Sequence, residues 1–197
     1  MLTTPQPRRH FLQTTTAALA ATVFCSQTPF AHGFKSRNER PRVGAIGTGS
    51  RWSVKATGID GPWGSAPDFV KYGDYVALCD ADENRRNRAA ELVKEWSGKM
   101  PTVHKDYRAI IDDPNIDIVH ISTPEHWHAK LVIEAMLAGK DVYCEKPLTL
   151  TIDEGQKICE ICRRTGRIVQ VGTQQRSEEQ FITAIALIQA GRLGKLQ

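Results

Sequence analysis

Short apolar runs rich in valine and isoleucine alternate with segments of helical periodicity from residue 40 to residue 175, and this rhythm leaves few possible folds. The runs predict six strands, at residues 43–46, 75–79, 102–104, 116–121, 142–144 and 168–171. Helical segments are predicted at residues 83–96, 125–138 and 152–164. Strands separated by helices indicate right-handed crossovers and a parallel sheet covered on both faces. The sequence therefore predicts an α/β fold with a doubly wound parallel sheet, the Rossmann fold.

Local signals refine this outline. The helix at 152–164 opens with a capping box at Thr151 and Glu154 and ends at Gly166, a suitable C-cap. A Gly/Pro-rich stretch at residues 58–68 interrupts the first crossover and is predicted to be a surface loop. We place the doubly wound domain at residues 40–175, followed at residues 176–197 by a helix and the start of a further segment.

The amino-terminal region carries the whole excess of positive charge. Residues 1–38 contain four basic side chains and no acidic one, which leaves equal numbers of both in the rest of the chain. A folded part without net charge gives no indication of a nucleic-acid partner.

The same region resembles a twin-arginine export signal. Arg8 and Arg9 are followed by one residue of any type, His10, and then by the apolar Phe11 and Leu12. We predict a signal segment at residues 1–32, recognition by the twin-arginine machinery and export to the periplasm. The apolar stretch that follows is shorter and more polar than the ~20 residues of a membrane-spanning helix, so no stable span is expected. A disordered basic tail is the alternative, and an uncleaved signal that anchors the chain stays open.

A glycine-rich turn follows the first predicted strand. Gly47 lies where the chain must turn sharply, and Gly49 lacks a side chain where a pyrophosphate would approach the backbone at the start of a helix. The third small position of this fingerprint falls on Trp52. The turn is predicted to bind a dinucleotide cofactor through Gly47, Thr48, Gly49, Ser50 and Arg51.

The second predicted strand ends in an acid, Asp80, where the ribose hydroxyls of a dinucleotide would lie. An acid at this position favours NAD, whereas Arg85 and Arg86 could accept the 2′-phosphate of NADP, which remains possible. Asp82 is predicted to cap the next helix.

Four segments, GTGSRW, STPEHWHA, VYCEKPLTL and QVGTQQRS, occur in this order. With their spacing they resemble the amino-terminal domain of the glucose-fructose oxidoreductase and inositol dehydrogenase family (Gfo/Idh/MocA), over residues 41–197. The EKP signature at Glu145, Lys146 and Pro147 is the most specific part. The resemblance implies an NAD(P)-dependent oxidoreductase that transfers a hydride between nicotinamide and a hydroxyl-bearing carbon of a sugar or polyol.

The resemblance also assigns roles. It implies that Lys146 is catalytic, beside the nicotinamide and in contact with the substrate oxygen, whose proton a fixed ammonium can steady or relay. It implies that Glu145 orients Lys146 or approaches the nicotinamide, so both residues count as catalytic and cofactor-binding. Further residues implied to line the cofactor pocket are Ser122, Thr123, Pro124 and His128.

Other reactive side chains are given structural roles. His126 and His128 form an H-x-H pair that would point to different faces of a helix, so no metal site is predicted. Cys159 and Cys162 lie inside a predicted helix, where a redox role is not expected. Cys79 and Cys144 end predicted strands and are expected to be buried thiols.

Finally, the resemblance implies a second domain that supplies a catalytic histidine, most of the sugar pocket and the oligomer interface. This chain ends at Gln197, where such a domain would begin. We therefore expect a truncated form that binds NAD, has little dehydrogenase activity of its own and forms a homo-oligomer only with the missing domain. A non-catalytic nucleotide-binding module is the alternative.

Overall fold

The computed structural model describes residues 40–59 and 64–194, so the predicted export signal lies outside the described residues. One sheet is built from β1 (Arg42–Ile46), β2 (Asp74–Cys79), β3 (Thr102–His104), β4 (Ile118–Ile121), β5 (Asp141–Glu145) and β6 (Val169–Gly172). The strand order is β3-β2-β1-β4-β5-β6, and every neighbouring pair is parallel. This is the order of a doubly wound dinucleotide-binding domain, and it confirms the predicted fold class.

The helices are α1 (Ala66–Phe69), α2 (Glu83–Ser97), α3 (Arg108–Ile111), α4 (His128–Leu137), α5 (Ile152–Thr165) and α6 (Glu179–Gln189). Single 3-10 turns lie at Val54–Thr57, Glu125–Trp127 and Gln174–Ser177. The predicted caps are confirmed. Asp82 accepts hydrogen bonds from two backbone N–H groups at the start of α2, Thr151 and Glu154 form the capping box of α5, and Gly166 ends α5 with a φ of 65°. None of these described helices is both long enough and apolar enough to cross a membrane.

The two faces of the sheet have different cores. One face packs aliphatic side chains of β4 and β5 against α4 and α5, and the other packs β1 and β2 against α2 with several aromatic rings. Cys79 and Cys144 belong to the aliphatic cluster, and burial raises the pKa of each thiol to about 12. Their prediction as buried thiols is thereby confirmed.

The first crossover differs from the prediction. No long helix follows the glycine turn: the described part of this crossover contains a 3-10 turn and the four-residue α1. Trp52 is fully buried, and its ring lies 5.6 Å from that of Tyr75 and 5.7 Å from that of Trp96. A large side chain thus fills the volume over the sheet at the position where a continuing helix would need a small residue.

The Gly/Pro-rich stretch is only partly a surface loop. Residues 60–63 lie outside the described residues, but Ser65 and Ala66 are buried, so the prediction is wrong for the end of the stretch. Ser65 donates backbone and side-chain hydrogen bonds to the carbonyl of Arg51. The stretch therefore returns to the core and holds the segment that follows the glycine turn.

A buried histidine joins this stretch to the sheet. His120 is fully buried in β4; its Nδ1 lies 2.6 Å from the hydroxyl of Tyr75. Its Nε2 lies 2.9 Å from Oγ of Ser65 and 3.0 Å from Oγ of Ser122. The ring of Phe69 stacks on the imidazole at 4.6 Å. Burial lowers the pKa of His120 to about 3, so the ring is neutral at physiological pH.

Candidate cofactor site

The four central strands end level with one another. The register pairs Ile46 of β1 with Cys79 of β2 and with Ile121 of β4, which in turn pairs with Cys144 of β5. The loops after these strands therefore meet at one edge of the sheet, the edge where ligands of such sheets bind. Most of the predicted site residues end these strands or follow them directly: Gly47 to Arg51, Asp80, Ser122, Thr123, Pro124, Glu145 and Lys146. His128 is the exception, because it is the first residue of α4.

The glycine turn packs directly against the end of β4. Gly47 has a φ of +83°, and a Cβ atom there would lie 2.8 Å from backbone atoms of Ser122 and Thr123. Only glycine fits this position without a shift of the backbone. At Gly49, by contrast, Arg85, at 3.6 Å, is the only described residue that an added Cβ would meet. No described residue therefore fills the space above Gly49, as a backbone that receives a pyrophosphate requires.

Hydrogen-bond donors are left open at this turn. Within the described part of the chain, the backbone N–H groups of Gly49, Ser50 and Arg51 donate to no protein atom. Thr123 contributes a buried hydroxyl, Oγ1, that has no partner there either. Consecutive free N–H groups in a turn suit the oxygens of a phosphate. The residues present thus fit a dinucleotide.

Asp80 connects the turn to the end of β2. Its Oδ2 accepts hydrogen bonds from the backbone N–H of Thr48 at 2.7 Å and from the Thr48 hydroxyl at 3.3 Å. Its Oδ1 accepts from the backbone N–H of Asp82. A carboxylate oxygen can accept more than one hydrogen bond, so Asp80 keeps capacity for a ribose hydroxyl. Its role in the choice between NAD and NADP stays a prediction.

The two arginines beside Asp80 are both paired. Arg85 lies 3.7 Å from Asp82 and also approaches Gly49, whereas Arg86 lies 3.6 Å from Glu83 and donates to the carbonyl of Asp80. Arg85 therefore lies closer to the place of a pyrophosphate than Arg86 does.

His128 is engaged with the protein itself. Its side chain is 1% exposed, with Nδ1 2.7 Å from the carbonyl oxygen of Pro147 and Nε2 2.9 Å from that of Thr123. Only an imidazolium can donate to both carbonyls, and a neutral ring donates to one of them. In either form His128 joins the loop after β4 to the loop after β5. Its predicted contact with the cofactor stays a prediction.

Glu145 occupies a niche that sequence reasoning did not foresee. Its side chain is 3% exposed, and Oε1 accepts a hydrogen bond of 2.7 Å from Nε2 of Gln174. The same Nε2 lies 3.1 Å from the hydroxyl of Tyr143. Burial, and then the negative charge of Glu145, raise the pKa of Tyr143 to about 12. Gln174 lies in the QVGTQQRS segment, but no local signal pointed to its contact with a residue 29 positions earlier.

Lys146 is exposed at the same edge, next to a cis peptide bond with Pro147. Its ammonium group forms no hydrogen bond or ion pair with another described residue. Glu145 reaches it only through the backbone, where the N–H of Lys146 lies 3.4 Å from Oε2. No described contact between the two side chains supports the prediction that Glu145 orients Lys146, so that role stays a prediction.

Histidine, cysteine and acidic side chains do not cluster as metal ligands do. In residues 40–59 and 64–194, no three of them come together in an arrangement that could hold an ion. His126 is exposed, and His128 uses both ring nitrogens as described above.

The chain is similar to known proteins over much of its length. The family model for the Gfo/Idh/MocA proteins, an oxidoreductase family with an NAD-binding Rossmann fold, matches residues 42–173. The chain is 28% identical to the alpha-N-acetylgalactosaminidase of Shewanella oneidensis, over 96% of its own length and 44% of that protein. It is 36% identical to the scyllo-inositol 2-dehydrogenase (NAD(+)) of Bacillus subtilis, over 61% of its own length and 34% of that protein.

The fold of the chain is similar to that of a solved structure. Myo-inositol 2-dehydrogenase from Lactobacillus plantarum matches with a TM-score of 0.64 at 28% identity, over 80% of this chain and 43% of that chain. The present chain therefore spans less than half the length of the relatives that it matches.

Proposed function

Since this chain belongs to the Gfo/Idh/MocA oxidoreductase family, we propose that it binds NAD for hydride transfer at a hydroxyl-bearing carbon of a sugar or polyol. The observation that carries the proposal is the glycine turn at the sheet edge, packed on β4 through Gly47 and bonded to Asp80 through Thr48. Bound NAD would accept or supply the hydride. Inositol dehydrogenases among the relatives support a polyol or sugar as the substrate.

We expect each half of the sheet to bind a different part of NAD. In doubly wound domains each half binds one mononucleotide. Asp80 lies on the half formed by β1, β2 and β3, and would bind the adenosine ribose. The open N–H groups from Gly49 to Arg51 would hold the pyrophosphate, and the buried hydroxyl of Thr123 gives it a further donor. The ends of β4 and β5 are then left for the nicotinamide.

Among the described residues, Lys146 is the one that would act on the substrate. Its ammonium group is exposed at the end of β5, on the nicotinamide half, and is not tied to another described side chain. When hydride leaves a carbon that bears a hydroxyl, the oxygen gains carbonyl character and must lose its proton. An ammonium group at the oxygen lowers the energy of that change by stabilising the negative charge that develops there as the proton leaves to water or to a separate base.

A second candidate reaction is the cleavage of a glycoside. The alignment with the alpha-N-acetylgalactosaminidase covers 96% of this chain, whereas the alignment with the inositol dehydrogenase covers 61%. The wider match supports a glycoside of an N-acetylated sugar as an alternative substrate at the same cofactor site.

NAD binding is tested by calorimetric titration of the whole chain. Gly49→Glu should abolish measurable binding, because it places a carboxylate in the open space above the turn, where the pyrophosphate would lie. Ala138→Glu is the matched control: it adds the same side chain at an exposed position just before β5, at the opposite edge of the sheet. If Gly49→Glu bound NAD with the affinity of the wild type, the proposal that NAD binds at the glycine turn would be wrong.

The reaction class is tested by supplying NAD with inositols or with nitrophenyl α-N-acetylgalactosaminide. Formation of NADH with an inositol supports the dehydrogenase, and NAD-dependent release of nitrophenol supports the glycosidase. Both should be weak in this chain, since Lys146 has no acid–base partner among the described residues, and both should be lost in Lys146→Ala. Intact NAD binding with neither product would instead support a non-catalytic nucleotide-binding module.

We also propose that the chain is exported by the twin-arginine route, because Arg8 and Arg9 precede an apolar stretch without acids. This pathway carries folded proteins, which suits a domain that acquires its cofactor before transport. Replacing both arginines by lysine should keep the protein in the cytoplasm, as cell fractionation would show. Replacing Lys35 and Arg37 by glutamine is the matched control and should leave export unchanged. Export of the double-lysine variant at the wild-type level would contradict the proposal.

A further inference from the structure

A buried carboxylate without a cation lies at the end of β5. Glu145 is 3% exposed, and none of the described ion pairs includes it. Its donors are the side-chain amide of Gln174 and, at 3.4 Å, the backbone N–H of Lys146. A buried carboxylate is normally paired with a cation, because loss of hydration strongly destabilises an isolated charge. The position of Glu145 therefore needs a reason other than stability.

Residues from several elements form the niche around this carboxylate. Gly172 of β6 makes room for it, because a Cβ atom there would lie 2.8 Å from the Tyr143 hydroxyl and 3.2 Å from Oε1 of Glu145. Gln174 then bridges Tyr143 and Glu145 with a single amide nitrogen. Three elements, β5, β6 and the 3-10 turn at Gln174–Ser177, thus hold Oε1 in place, while the long contact to Lys146 is the only one that Oε2 makes with a described residue.

The niche lies on the half of the sheet that takes the nicotinamide. Glu145 is the last residue of β5 and pairs with Gly172 of β6, on the far side of β4 from Asp80. In doubly wound domains this half binds the second mononucleotide. Nicotinamide carries a positive charge on its ring in the oxidised form of the cofactor and no charge on the ring in the reduced form.

We propose that Glu145 makes the site discriminate between the two redox states of the cofactor, binding NAD⁺ more tightly than NADH. The inference rests on the proposed binding of NAD. A buried carboxylate attracts a nearby cationic ring through a medium of low effective dielectric constant, whereas the neutral reduced ring gains nothing from it. Lys146 opposes this preference only weakly, since its ammonium is exposed and water screens its charge. The group that supplies specificity for the oxidised state is therefore the acid of the EKP signature.

The test measures the dissociation constants of NAD⁺ and NADH for the same protein, by calorimetry and by NADH fluorescence. The wild type should bind NAD⁺ more tightly. Glu145→Gln, which keeps the shape and removes the charge, should reduce the ratio of the NADH constant to the NAD⁺ constant by about tenfold. Glu145→Asp should retain most of the preference because it retains the charge. Glu125→Gln is the matched control: it neutralises an exposed carboxylate at the same edge, and the ratio should not change.

The outcomes separate this inference from the proposed function. If Glu145→Gln binds both forms and its ratio equals that of the wild type, the inference is wrong while NAD binding stands. If the folded wild type binds neither form, the proposed function fails and the inference fails with it. Should Glu145→Gln not fold, the wild-type ratio and Glu145→Asp still decide: equal affinity for the two forms in both proteins would overturn the proposal.

Discussion

At the scale of single residues, burial decides the charge state of a side chain that ordinarily titrates near neutrality. His120 meets three hydroxyl groups and a stacked aromatic ring, and no charged group among the described residues faces it closely enough to offset the loss of hydration. Its pKa falls from the ordinary value of 6.5 to about 3 in the folded protein. In the unfolded chain the ring would take up a proton near its ordinary value, so acid favours the unfolded state.

His120 should therefore make stability fall between pH 6.5 and about pH 3. Its contribution is complete above the unfolded pKa and is lost as the pH decreases, at roughly 1.4 kcal/mol of unfolding free energy per pH unit. Urea unfolding at pH 7 and pH 4 measures this slope. His120→Gln should be less stable at pH 7, because it disturbs the hydroxyl network, but should lose less stability on acidification than the wild type. Equal losses in both proteins would contradict the neutral, buried histidine.

At the scale of elements, the glycine turn is supported by side chains rather than by a long helix. Trp52 packs on Tyr75 of β2 and on Trp96 of α2, and the short α1 brings Ser65 back to the carbonyl of Arg51. A long helix would bring a dipole to the phosphate site. In this chain the open backbone N–H groups of the turn have to supply most of that attraction themselves.

Trp52 should accordingly be among the most costly residues to truncate. Trp52→Ala removes a fully buried ring and should lower the free energy of unfolding by about 3–5 kcal/mol. Trp127 offers a matched control, because its side chain is 39% exposed and its truncation should lower that free energy by about 1 kcal/mol or less. Denaturant titrations of both variants make the comparison. Similar losses for the two tryptophans would contradict the packing role given to Trp52.

At the scale of the whole molecule, the sheet could be predicted from sequence because each strand carries its own signal. Val43, Val119 and Val142 lie in apolar runs that predict strands whatever the path of the connecting segments. The helices between the strands then predict that the strands run parallel. The capping residues were equally visible, since Thr151 and Asp82 act on backbone groups within three residues. Local chemistry thus suffices for the elements and for the edge at which they present loops.

Contacts between distant elements were not predictable in the same way. The fingerprint pattern predicted a helix after Gly49, but the bulk of Trp52 changes the path once Tyr75 and Trp96 are beside it. The bond from Gln174 to Glu145 likewise depends on the space left by Gly172, a property of the folded sheet rather than of either segment. The candidate site could therefore be located from sequence, but the polar contacts inside it could not.

The bond between Thr48 and Asp80 has a consequence for the thermodynamics of association. Because this bond and the close packing of Gly47 on β4 are formed by the protein's own atoms, the shape of the turn does not depend on contacts with a ligand. A surface that is shaped in advance loses little conformational entropy when it is occupied. Affinity at this turn then depends on the contacts that form, with little reduction from the ordering of a loop.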